Sequence, residues 1–146
     1  MKLSGITAAL ALTLVAGMSG CTTHLASGQK QELAIYDQKG LTVKEKSVGA
    51  AALLGVLPGA GYCYTRHYAL CVSTIPLWVI SLGPLWMPFD TAAAADTENY
   101  YATKMMVERD KAQALRELDH KLEDKQISYE VHIREQRAIE AKFSAY

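Results

Sequence analysis

Hydrophobic and polar residues fall in blocks along this chain, and the blocks predict its elements. Ile6 to Val15 is an apolar run broken only by Thr7 and Thr13 and preceded by Lys2. That is the length of an export-signal core, too short to cross a bilayer as a helix. Thr22 to Lys30 is polar and contains Ser27-Gly28, the composition of a tether. Between Glu32 and Lys44, Leu33 and Ile35 and then Leu41 and Val43 alternate around Asp37-Gln38-Lys39-Gly40. The alternation predicts a small β-hairpin with Gly40 in its turn, or an irregular linker over the same residues.

The central block is apolar. Ser47 to Thr65 carries no charge, Arg66-His67 interrupts, and Tyr68 to Phe89 is uncharged again up to Asp90. Ser47 to Leu57 has a helical composition but reaches only about 16 Å before Pro58-Gly59, short of the roughly 30 Å hydrocarbon core. The second run approaches the roughly 20 apolar residues a spanning helix needs. Pro76, Gly83-Pro84 and Pro88 argue against one straight helix there. A two-helix span, a re-entrant turn at Gly59-Ala60-Gly61-Tyr62 and a hairpin held in one leaflet all fit the pattern.

After a small-residue joint at Ala92 to Ala95 the chain becomes charged: residues 97–146 hold nine Lys or Arg and ten Asp or Glu. Tyr101, Met105, Glu108, Ala112, Leu115, Asp119 and Leu122, with Leu118 widening the stripe, predict an amphipathic helix. A break is expected at Asp124 to Ser128, with Ser128 as N-cap and Glu130 favourable in the first turn that follows. His132, Gln136, Ile139 and Phe143 then share one face of a second helix. The fold class expected is mainly α.

Composition narrows the function classes. The chain has 146 residues, 50% hydrophobic and 21% charged, with Lys+Arg 15 balancing Asp+Glu 15. This balance gives no basic footprint for nucleic acid. Removing residues 1–20 leaves 126 (146 − 20), one domain at most, with little room for a two-domain enzyme.

Met18-Ser19-Gly20-Cys21, closing the apolar run, resembles the bacterial lipobox, in which a Leu-like residue and two small residues precede the cysteine where lipoprotein signal peptidase cleaves. The resemblance implies a lipoprotein signal peptide over 1–20 and a covalent diacyl lipid on Cys21, which becomes the first mature residue. Amide-linked and thioether-linked acyl chains together exceed the single chain that anchors only marginally. Thr22 in place of Asp implies sorting to the outer membrane, facing the periplasm; retention in the inner membrane is expected if the apolar block spans.

Gly55-Val-Leu-Pro-Gly-Ala-Gly-Tyr-Cys-Tyr-Thr-Arg-His-Tyr-Ala-Leu-Cys-Val72, with Gly83-Pro84-Leu85-Trp86 and Asp90, resembles the TM2 domain, a two-helix membrane hairpin. The resemblance covers 47–95 and implies two crossings with Arg66-His67 at the far tip, and no enzymatic activity. Leu115, Leu118 and Leu122, the break, Ile127-Ser128 and the helix ending in Ile139 and Phe143 resemble SHOCT, a short C-terminal helical module, from about residue 113. That likeness implies oligomerisation or docking.

Candidate chemistry is sparse. Cys63 and Cys71 flank Arg66-His67, and the spacing Cys63-x3-His67-x3-Cys71 has three ligands but no fourth and matches no standard zinc pattern. The thiols are expected as small apolar fillers, with a disulfide as the alternative in an exported chain. His24, His67, His120 and His132 are scattered without a nucleophile elbow. Tyr62, Tyr64, Tyr68, Trp86, Phe89, Tyr100 and Tyr101 suit an interfacial aromatic belt. Asp90 reads as a helix terminus reaching headgroups, or as a partnered intramembrane carboxylate. Ala51-x3-Gly55 permits close helix approach, within the hairpin or between copies.

The sequence thus predicts a membrane-anchored envelope lipoprotein, not an enzyme. It acts as a structural or interaction protein through its hairpin and tail. Its partners are membrane lipid and a second copy or an envelope protein. Arg66, His67, Trp86 and Asp90 are expected at the membrane interface, and no metal, cofactor or small-molecule substrate is called for. The alternatives are a small oligomeric conducting hairpin and an exclusion lipoprotein of the kind prophages carry.

Overall fold

The computed structural model describes residues 23–78 and 82–146, apart from the side chain of Leu77. The signal peptide, the lipobox and Cys21 therefore lie outside the described residues. The protein is mainly α-helical, with no strand among the described residues. In chain order the helices are α1 (Ser27–Gln38), α2 (Val48–Gly55), α3 (Ala60–Tyr64), α4 (Tyr68–Leu77), α5 (Gly83–Glu123) and α6 (Tyr129–Phe143). They form two compact units. Among the described residues, one comprises Thr23–Ala26 with Glu45–Glu98, the other Ser27–Lys44 with Asn99–Tyr146.

In the first unit the apolar block folds back on itself repeatedly. Ser47 caps α2, its side chain accepting from Ala50 N–H at 3.3 Å. The chain reverses at Gly59, whose φ of 69° is left-handed and whose missing Cβ makes room for the Cys71 carbonyl. Close approach dominates the packing of α2 on α5. Ala51 is fully buried, and a Cβ on Gly55 would strike the Thr91 side chain and the Pro88 backbone. The Thr91 hydroxyl lies 2.8 Å from the Ala51 carbonyl and 2.9 Å from that of Met87, sharing one hydrogen. The small-x3-small spacing therefore serves contact within the chain. Tyr62, Cys71 and Met87 form the core, with Leu70 and Trp78 against it. Cys63 and Cys71 are joined by a disulfide linking α3 to α4. They are not free apolar fillers, and the pairing removes both from the Cys-His-Cys pattern as metal ligands.

The second unit is a helical hairpin with α1 packed on it. Its core is Tyr36, Val107, Phe143 and Ala145, flanked by Leu41, Ala114 and Ile139. The residues read as the first arm of a β-hairpin are instead α1. Gln29-Lys-Gln-Glu-Leu-Ala34 are all good helix formers, and the Leu33/Ile35 alternation does not outweigh them. Gly40 does turn the chain, but as a helix stop: at φ 68° it lets Leu41 N–H reach the Tyr36 carbonyl at 2.9 Å. Lys39 Nζ donates to the Ala141 and Ser144 carbonyls, both at 2.8 Å, satisfying acceptors at the end of α6.

The expected break falls between Glu123 and Tyr129, where Ser128 caps α6 by accepting from Val131 N–H at 3.4 Å. The stripe on α5 is rotated from the expected one. Tyr101, Met105, Glu108 and Ala112 are exposed, whereas Tyr100, Thr103 and Val107 are buried; Leu118, which widened the expected stripe, is buried as expected. Thr103 hides that seam from a hydrophobicity reading; its hydroxyl accepts from Val43 N–H at 3.0 Å.

Two predictions follow from backbone geometry. Gly55→Ala drives a methyl into Thr91 and Pro88 and is expected to cost about 1–3 kcal/mol by overpacking, whereas Gly49→Ala in the same helix, with open space around it, is expected to be neutral or stabilising. Urea denaturation of the pair measures the difference. Lys125 holds φ 57°, letting Gln126 N–H reach the Lys121 carbonyl at 2.9 Å. Lys125→Gly relieves a left-handed side chain and is expected to add about 1 kcal/mol in the same assay.

Candidate functional site

The chemistry-bearing residues of the first unit gather around Asp90. It stands inside α5, at the end of no helix, and is only 8% exposed. The reading of Asp90 as a helix terminus in contact with headgroups is therefore replaced by a buried, partnered carboxylate. Its Oδ2 accepts from the Tyr62 hydroxyl at 2.6 Å and its Oδ1 from the Thr23 hydroxyl at 2.9 Å. His24 Nδ1 lies 3.4 Å from Oδ1 and 3.0 Å from the Thr23 hydroxyl. Two turns further along α5, the Thr97 hydroxyl lies 3.0 Å from both the Thr23 and the Ala93 carbonyls, sharing one hydrogen between them. The chain immediately after the lipobox is thus stitched to α5 at two levels.

These contacts fix rather than react. Burial, and then the hydrogen bond to Asp90, raise the Tyr62 phenol well above its ordinary range, so it remains a donor. Thr23, His24 and Asp90 have the residue types of a nucleophile relay but not its wiring. The Thr23 hydroxyl is fully buried and lies within donating distance of Asp90.

Arg66 and His67 sit in the turn after α3. Arg66 takes φ 62°, and His67 N–H reaches the Tyr62 carbonyl at 2.8 Å, the same left-handed stop seen at Gly40. Arg66 pairs with Glu45 at 2.6 Å and approaches Glu98 at 3.9 Å. Glu45 and Glu98 flank the apolar block on either side. In a hairpin that crossed the bilayer twice, Arg66 would lie about 30 Å from both. Among the described residues the two runs are divided into the short helices α2, α3 and α4 and the first turns of α5. No described helix is long and apolar enough to cross a membrane. The His67 ring is turned inward, Nδ1 lying 2.8 Å from the Thr65 carbonyl.

The opposite end of the unit is apolar and uncovered. Leu53 is 76% exposed, Val72 70% and Phe89 77%, and Leu57, Ile75, Leu85 and Trp86 are exposed with them. Three contacts draw these positions together: Gly55 abuts Pro88, Gly59 abuts Cys71 and Ile75, and Gly83 abuts Trp78. Of the expected interface residues, Trp86 belongs to this end, Arg66 and His67 to the charged end, and Asp90 is buried between them. Of the expected aromatic belt, Phe89 is also at the apolar end. Tyr62 is core, and Tyr100 donates to Glu32 at 2.7 Å in the second unit. The Thr23 and Thr97 contacts were not legible, since threonines in a polar leader and a charged helix give no signal.

Comparison with known proteins finds no matching family model, no matching curated protein and no matching solved structure.

Tyr62→Phe removes the donor to Asp90 Oδ2 and is expected to cost about 1–3 kcal/mol. Because folding raises the Tyr62 pKa, the stability it confers is intact below about pH 10 and lost as the pH rises beyond. Alkaline unfolding followed by far-UV circular dichroism is expected to lose part of that pH dependence in Tyr62→Phe.

Proposed function

We propose that this is an exported envelope lipoprotein, anchored by acyl chains on Cys21, that works as a structural or interaction protein and performs no catalysis. The observation that carries the reading is Met18-Ser19-Gly20-Cys21 at the end of an export-length apolar run. The Cys63–Cys71 disulfide supports it, because such bonds persist in oxidising compartments and are rare in the cytosol. The tie of Thr23 to Asp90 and Thr97 supports it too, since a tether fixed two residues past its lipid holds the first unit close to the membrane.

Outer-membrane residence, facing the periplasm, is the better-supported address. Thr22 lacks the Asp that retains such proteins in the inner membrane, and the pairing of Arg66 with Glu45 removes the need for two crossings. The helical hairpin of the second unit is the part offered to a second copy or to another envelope protein. The conducting alternative loses its motive, because both carboxylate oxygens of Asp90 are engaged inside the unit.

Metabolic labelling with an alkyne palmitate, followed by separation of inner and outer membranes, tests the proposal. Wild type is expected to carry label and fractionate with the outer membrane, while Cys21→Ala carries none and leaves that fraction. Unlabelled wild type, or an unchanged position for Cys21→Ala, would overturn it.

A further inference from the structure

We infer that the apolar end of the first unit, displaying Leu53, Leu57, Ile75, Leu85, Trp86 and Phe89, is inserted into the leaflet that holds the Cys21 lipid, entering about halfway through the bilayer without crossing it. The inference rests on the lipoprotein reading and adds a second, non-covalent attachment to it.

Depth is set by the helices. From Asp90 back to the start of α5 at Gly83 is seven residues, about 10 Å, and α4, with 10 residues, is about 15 Å long. Those lengths match one half of the roughly 30 Å hydrocarbon core. The charge distribution follows the same axis. Glu45, Arg66 and Glu98 meet at one end, and no ionisable side chain other than those of the tyrosines lies between Ser47 and Thr65 or between Tyr68 and Phe89. Phe89 to Glu98 is nine residues along α5, about 13 Å, so the ion pairs stay at the water side while the apolar end is submerged.

The position of the anchor agrees independently. Two residues of chain reach at most about 7 Å, so residue 21 lies within that distance of Thr23, whose hydroxyl is on Asp90 and whose carbonyl is on Thr97. On the lipoprotein reading the acyl chains therefore leave the chain within that reach of the threonine bound to Asp90. Leu85, Trp86 and Phe89 all precede it on α5, toward the apolar end. Lipid is the occupant that the tether itself brings to this surface. Asp90 sits at the boundary with its charge already met by protein donors, which lets the first turns of α5 enter hydrocarbon without dragging a bare carboxylate along.

The test uses mature, lipidated full-length protein in phosphatidylethanolamine/phosphatidylglycerol vesicles containing lipid brominated at mid-chain. With Trp78→Phe, Trp86 is the sole indole, and loss of most of its emission is expected. The difference between wild type and Trp86→Phe gives the same reading should Trp78→Phe fail to fold. In Leu57→Glu/Phe89→Glu the quenching is expected to disappear while the acyl chains keep the protein floating with vesicles. Undiminished Trp86 emission from vesicle-bound protein would overturn the inference, whether the end is held in water or covered by a second copy. Alkyne-palmitate labelling of the same sample separates the two hypotheses. Protein without label refutes the anchor, and quenching on its addition to brominated vesicles then decides the inserted end alone.

Discussion

A carboxylate taken out of water costs several kcal/mol unless its oxygens find donors, and the placement of Asp90 obliges the first unit to supply them. One donor comes from Tyr62 in α3 and one from Thr23 in the leader, so a single buried charge fixes the relative positions of three segments far apart in sequence. The Tyr62 donor is reached only because α2 and α3 lie against α5. That approach depends in turn on Gly55, where a Cβ would meet Thr91 and Pro88, and on the small, fully buried Ala51. Polar satisfaction and small-residue packing are here one constraint seen from two sides.

Arg66 organises the other end. Its left-handed backbone ends α3, and its guanidinium draws together the acidic residues on both flanks of the apolar block. The pairs are half-exposed, and each contributes little to stability by itself. Their value is directional. By returning the chain to one level twice, they divide two long uncharged runs into short legs, and the unit acquires a charged pole and an apolar pole. The disulfide between α3 and α4 spans the turn that carries Arg66 and holds that reversal closed.

Much of the helical framework could be read from sequence where local rules act alone. Ser47 and Ser128 are caps by residue type, and both bond the N–H three residues on. Pro58-Gly59 ends α2 as its composition requires. Failures cluster where a second physical requirement coincides with the pattern being read. Leu33 and Ile35 alternate, yet they sit among helix formers and Gly40 closes a helix as readily as it turns a hairpin. The α5 seam passes through Thr103, whose burial is compensated by a hydrogen bond rather than by hydrophobicity. Two uncharged runs separated by a basic pair give no sign that Arg66 meets Glu45, because spacing carries no information on which charges pair. The ring of donors about Asp90 was out of reach for the same reason: a single carboxylate after an apolar run is visible, its partners 28 and 67 residues away are not.

Pairing of Cys63 with Cys71 also settles the arithmetic of sulfur in this chain. Three cysteines cannot all pair within one molecule. Acylation would turn the odd one into a thioether, chemically inert toward exchange, and leave an even, closed set. A molecule that reached the oxidising compartment unacylated would carry a free thiol on a short leader whose next residues are pinned to the same unit as the bridge. Such a thiol would remain open to exchange with other thiols and disulfides of that compartment. Lipid attachment would then protect the redox integrity of the fold as well as fixing its address.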